Sequence, residues 1–282
     1  MSKMLECRSV VMNKFMSAID VNEPNPDVAE KIQKVLQNLR SLRLDFIYYG
    51  EKDLKPATYI AETHRFFSAV PSFWLKPAHQ TLKELNLAHC HFWGYYLKLD
   101  LRGVHFSRLR ILQLTKYTLV HDSQLDGIFS HRDTLAELYL EDCAIGWDIE
   151  ATADKEMAYL DPNSYITRPG SGGKRYATYD KRWHDYFKSF QELRHLQRFR
   201  YGWIEKYGPF EEGPDLNLSM HIASYMLYGS LGYQELPSYC MDTGNSLKYG
   251  AEWVIEDETS LEELYAKIGY KYVVGKSQVR RG

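Results

Sequence analysis

Apolar positions recur along this chain with one spacing. Two leucines stand three apart and a third follows two further on. In most copies a Cys, aromatic or Ile position then comes three residues later. The copies are Leu39, Leu42 and Leu44; Leu82, Leu85, Leu87, Cys90 and Phe92; Leu109, Leu112, Leu114, Tyr117 and Leu119; Leu135, Leu138, Leu140, Cys143 and Ile145; and a weaker Leu196, Phe199, Tyr201 and Ile204. The Leu-x-Leu core of each copy alternates as a half-buried strand does, with every second side chain on one face. The first four copies begin 43, 27 and 26 residues apart. The last two intervals suit a strand with a short return, and the first must hold additional structure.

This spacing is the leucine-rich-repeat consensus. One such unit cannot bury its apolar ridge alone, so the units must stack. The expected fold is therefore α/β, a leucine-rich-repeat solenoid with a curved parallel sheet and with helices and loops on the convex side. Residues 1–38 read as an N-terminal segment whose helix, with Val28, Ile32, Val35, Leu36 and Leu39 on one face and Asp27 as cap, seals the first strand. The repeats fill 39–149. A helix opened by Asp122 or Ser123 places Leu125, Ile128 and Phe129 toward the core. Residues 150–180, with two prolines and the Gly170-Ser171-Gly172-Gly173 cluster, read as a loop insertion. Residues 181–282 hold the terminal repeats and a capping helix. A helical period over Trp183, Tyr186, Phe187, Phe190 and Leu193 leads into the fifth strand. A capping box at Ser260 and Glu263 opens the last helix, and Gly269 stops it.

Composition narrows the function. A net charge of −2 gives no electrostatic reason to expect nucleic acid or an anionic membrane surface. No apolar run has the length of a membrane span, and Pro71 breaks the most apolar stretch, Phe66 to Leu75. Four scattered cysteines, two of them at the repeat's turn position, suggest buried free thiols in a reducing compartment, cytosol or nucleus. The Gly170–Lys174 stretch departs from a phosphate loop, with Arg168 where the first glycine belongs and Arg175 where a hydroxyl should bind magnesium. His89, Cys90 and His91 alternate sides of a strand, so they do not converge on one metal. No residue set calls for a cofactor, a metal or a nucleophile, and the chain is read as non-catalytic.

What remains is the solvent face of the repeat strands. Residues between the leucines point away from the core. They include Arg43 and Asp45, Asn86 and His89, Gln113 and Lys116, Tyr139, Glu141 and Asp142, and Arg198, Arg200 and Trp203. Aromatic and arginine side chains dominate binding energies, and mixed charge orients a partner. The expected partner contact is therefore centred on Tyr139, Glu141, Asp142, Arg198, Arg200 and Trp203, provided 150–180 loops out so that the fourth and fifth strands lie close.

Residues 39–268 resemble the leucine-rich C-terminal region of filamentous-fungal F-box-like proteins. The resemblance rests on Leu39–Asp45, Thr81–Leu87, Leu99–Leu112, the segment Ser130–Ile145, the Trp183–Phe187 stretch and the Asp257–Leu264 stretch. It implies a protein–protein interaction module that recognises substrates for a cullin–RING ubiquitin ligase, an F-box docking the ligase adaptor. Residues 1–38 supply at most one helix and no Leu-Pro opening, so the adaptor is an expected partner only if an F-box lies elsewhere. The alternatives are a stand-alone leucine-rich-repeat scaffold or regulator, and an enzyme whose site is built from the insertions. The protein target is not named by the sequence.

Overall fold

A computed structural model describes residues 9–13, 26–46, 61–95, 97–150, 159–202, 225–228, 251–271 and 279–280. It is a mixed α/β fold whose central sheet is mostly parallel and does not close into a barrel. The strands of its regular part are β1 (Ser9–Asn13), β2 (Ser41–Phe46), β3 (Glu84–Trp93), β4 (Ile111–Leu119), β5 (Glu137–Glu141) and β9 (Arg198–Gly202). They pair in parallel in that order.

The register explains why the leucines recur. Leu42, Leu85, Leu112, Leu138 and Phe199 stand side by side, as do Leu44, Leu87, Leu114, Leu140 and Tyr201. All are buried, each contributing about 1.5–3 kcal/mol of transfer free energy. The first leucines of the copies, Leu39, Leu82, Leu109 and Leu135, are fully buried as well. One residue beyond each, a backbone carbonyl accepts two amides of the next copy. Arg40 O takes Lys83 N and Glu84 N, Lys83 O takes Arg110 N and Ile111 N, Arg110 O takes Ala136 N and Glu137 N, and Ala136 O takes Gln197 N and Arg198 N. The same backbone device recurs four times.

Helices cover the leucine face. α1 (Pro26–Leu36) occupies the predicted N-terminal helix. It does not seal the first strand, because β1 continues the sheet beyond β2. The long first interval holds α2 (Ala61–Ala69), a π-helical turn over Val70–Leu75 and a 3-10 turn over Lys76–Ala78. Pro71 stands where the ladder widens, since it lacks an N–H and its ring crowds the preceding turn. Phe66, Phe67, Val70, Trp74 and Leu75 are buried there.

α3 (Asp122–Phe129) starts as predicted but is capped by His121, whose Nδ1 accepts from Ser123 N at 3.1 Å, while Gln124 Oε1 accepts from His121 N at 3.1 Å. α4 (Trp183–Phe190) buries Trp183, Phe187 and Phe190 against Phe199 and Tyr201, with Tyr186 buried beside Trp183 and Phe190. α5 (Ala251–Lys267) packs on α4 with Leu261, Leu264 and Tyr265 buried. Its start corrects the expected capping box. Ser260 sits inside the helix, buried, because the helix begins earlier and uses Asp257 to accept from His184 N at 2.7 Å. Gly269 lies just past the helix end with φ +83, the left-handed stop expected there.

The described part of the segment read as a loop insertion carries sheet structure. β6 (Ala144–Glu150) pairs with the end of β4 and with β10 (Tyr225–Tyr228). β8 (Arg175–Thr178) lies antiparallel to β6, and β7 (Ile166–Thr167) antiparallel to β8. The Gly170–Lys174 stretch is the turn of that hairpin. A separate pair, β11 (Tyr270–Lys271) with β12 (Val279–Arg280), follows α5.

Candidate functional site

On the sheet face opposite the leucines, register aligns the side chains in rows. The first is Ser41, Glu84, Ile111, Glu137 and Arg198; the second is Arg43, Asn86, Gln113, Tyr139 and Arg200; the third is Asp45, Ala88, Thr115, Glu141 and Gly202. The first two rows are half-buried or exposed, while the third is buried from Asp45 through Glu141. The accessible face is therefore narrower than simple alternation predicts.

Hydrogen bonds run along the second row and turn into the third. Asn86 Nδ2 donates to Gln113 Oε1 at 2.8 Å, the Gln113 side chain bonds Glu141, and Thr115 Oγ1 donates to Glu141 Oε2 at 3.1 Å. Burial, despite those bonds, pushes the Glu141 carboxyl above its ordinary value, and the neighbouring Asp142 charge adds to the shift. At the row's other end Arg43 forks onto Asp45, at 3.3 and 3.0 Å.

Past the third row the backbone turns left-handed at Lys116 (φ 59) and Asp142 (φ 51). The two side chains meet at 3.5 Å, and Lys116 Nζ lies 5.2 Å from the centre of the Phe92 ring. Glu141 and Asp142 were expected on the open face; instead both are buried. The reason is local. A left-handed residue ends the two-residue alternation, so Asp142 turns onto Lys116, and Glu141 is claimed by its neighbours on β4.

Tyr139, Arg198 and Arg200 do come together as the spacing predicted, because β5 and β9 are direct partners. Tyr139 stands beside Arg200 and Glu137 beside Arg198. The Arg200 guanidinium lies over the Tyr139 ring, 5.5 Å from its centre. The Tyr139 hydroxyl donates to Glu137, and Arg198 Nη1 is 3.7 Å from the same carboxylate. Burial, reinforced by Glu137, pushes the Tyr139 phenol up to about 12, so it remains a neutral donor. Glu137, absent from the predicted contact set, is the hub of this cluster; its place one row from Tyr139 was the available signal. Trp203 lies outside the described residues.

No family model, no curated protein and no solved structure matches the chain.

His89 is buried with its ring 6.0 Å from that of Phe67, and the side chains of Cys90 and His91 lie outside the described residues. Among the described residues no three His, Cys, Asp or Glu side chains group as metal ligands, and no helix is long and apolar enough to cross a membrane. A shallow hollow lined by Gln33, Gln37, Lys76 and His79 lies by α1 and the 3-10 turn, away from the three rows.

Proposed function

We propose that this chain is a leucine-rich-repeat solenoid that binds a protein partner through the open face of its parallel sheet and performs no chemistry itself. The repeated carbonyl device and the aligned leucines support the repeat reading. The observation that carries the binding reading is the Glu137, Tyr139, Arg198 and Arg200 cluster. Its half-buried aromatic ring and two guanidiniums are presented on rigid neighbouring strands, the residue types that supply most energy at protein interfaces.

Two settings are open to such a module: substrate recognition for a cullin–RING ubiquitin ligase, as the resemblance implies, or a scaffold outside ubiquitin chemistry in the cytosol or nucleus. Residues 9–13 extend the sheet through the parallel pairing of β1 with β2 and are not part of a small helical docking unit, which leaves both settings open. A pull-down from a fungal lysate, scored for ligase subunits against other proteins, separates the two. The isolated chain is expected to leave the ligase adaptor behind; co-purification at micromolar concentration overturns the scaffold setting. Tyr139→Ala and Arg200→Ala should each weaken the recovered partner by more than about 1 kcal/mol. If both bind normally, or both unfold the protein, the face is wrongly assigned.

A further inference from the structure

We infer that Arg200 anchors a carboxylate, an Asp or Glu side chain of the protein partner, lying across β5 and β9. This rests on the binding-face reading above and adds the partner's chemistry to it. Three arginines stand in the rows of the open face. Arg43 forks onto Asp45, and Arg198 faces Glu137 at 3.7 Å. Arg200, among the described residues, has no carboxylate within ion-pair distance; its guanidinium lies over the Tyr139 ring, and its charge reaches the buried Glu141 carboxylate without an ion pair to it.

The nearest acids are committed elsewhere. Glu137 accepts the Tyr139 hydroxyl and faces Arg198. Glu141 is buried under Thr115 and Gln113, and Asp142 is held by Lys116. Arg200 itself is half-buried, so it keeps an accessible side. The ring beneath it is itself hydrogen-bonded to Glu137, so the guanidinium rests on a side chain already held in place. A planar fork of donors held in advance matches a carboxylate's two oxygens and loses less conformational freedom on binding than a free side chain.

The test is selection of a random, unphosphorylated peptide library on the full chain. Selected peptides are expected to share an Asp or Glu. Arg200→Gln should lower the affinity of the strongest peptide about tenfold or more, and Arg200→Lys should give a smaller loss, because a point charge cannot fork. Replacing the shared acid by its amide should cost the wild type a similar factor and the Arg200→Gln protein little further, the signature of a direct pair. Thermal melts of both variants confirm that the fold is kept. Peptides that depend on Tyr139 but lack an acid, or ignore Arg200→Gln, overturn the carboxylate and leave the binding face standing. Selection of no peptide, or of peptides indifferent to Tyr139→Ala and Arg200→Gln alike, overturns both.

Discussion

Two regions of this molecule reach the same buried state by opposite routes. Between Leu39 and Glu141 the rungs are leucines, Phe199 and Tyr201 take the same places at Leu196–Gly202, and neighbouring copies share one register and one backbone bond pattern. Around β6, β7 and β8 the core is small and phenolic: Tyr95, Tyr159 and Tyr165 pack with Val120, Ile149, Leu160 and Ala177. There the hydroxyls are matched individually, Tyr95 with Tyr165 at 2.7 Å and Tyr159 with Ser123 at 2.7 Å. The aliphatic ladder is specified by repetition, so any copy teaches the others. The phenolic region is specified by pairs, each of which must be satisfied because an unmatched buried hydroxyl is costly.

The largest expected effect strikes the ladder. Leu112→Ala removes the middle rung between Leu85 and Leu138 and should destabilise by about 2–5 kcal/mol, read in a denaturant or thermal melt. An unchanged melt would break the equivalence of the rungs.

Acid comes next and acts on the same side. His131 is buried in the turn before Leu135; its Nε2 accepts from Phe106 N at 3.0 Å, and its Nδ1 lies 3.0 Å from Gly127 O. That pattern fixes the neutral ring. Burial, helped by His105 stacked beside it, lowers its pKa to about 4. A depressed histidine keeps its stability above its unfolded value near 6.5 and loses it as pH falls toward 4, here about 3 kcal/mol. Glu141 has the opposite sign, its raised pKa favouring the folded state as pH falls. The net loss should therefore flatten in His131→Gln and deepen in Glu141→Gln. The phenols Tyr159 and Tyr165, both raised mainly by burial, keep their contribution below pH 10 and lose it above. Alkali should thus weaken both regions, because the phenols of Tyr117 and Tyr186 in the first are raised by burial as well, whereas the acid loss at His131 falls on the first.

Smaller still, Tyr165→Phe should cost about 1 kcal/mol in a thermal or denaturant melt, the loss of its hydrogen bond to Tyr95. An unchanged melt would mean that this hydroxyl pair contributes nothing to the second region. Smallest of all, Tyr139→Ala and Arg200→Ala should leave the melting temperature nearly unchanged, since both lie on the open face.

The contrast also marks what the sequence could reveal. The rungs, α1, α4 and the Gly269 stop were legible because periodic spacing and glycine chemistry are local signals. The adjacency of Tyr139 and Arg200 followed from register once the repeats were aligned. β1 was not legible, since five residues without a leucine pattern pair only through a neighbour 32 residues away in register. The hairpin of β7 and β8 hid behind its turn residues, and Ser260 looked like a cap because its signature also occurs inside helices. Asp142 misled because its left-handed backbone cancels the alternation at its own position, and Glu141 because its carboxyl is taken up by Gln113 and Thr115 on β4.

β4 belongs to both regions. Ile111–Thr115 bond to β5, and Thr118–Leu119 bond to β6. Such a strand acts as a splice between two fabrics. Tension applied to the hairpin is delivered into the leucine ladder through one continuous backbone, so the phenolic region cannot be peeled away without loosening the rung that Leu112 occupies. Pulled from either end, the two regions should yield in a single event rather than in sequence.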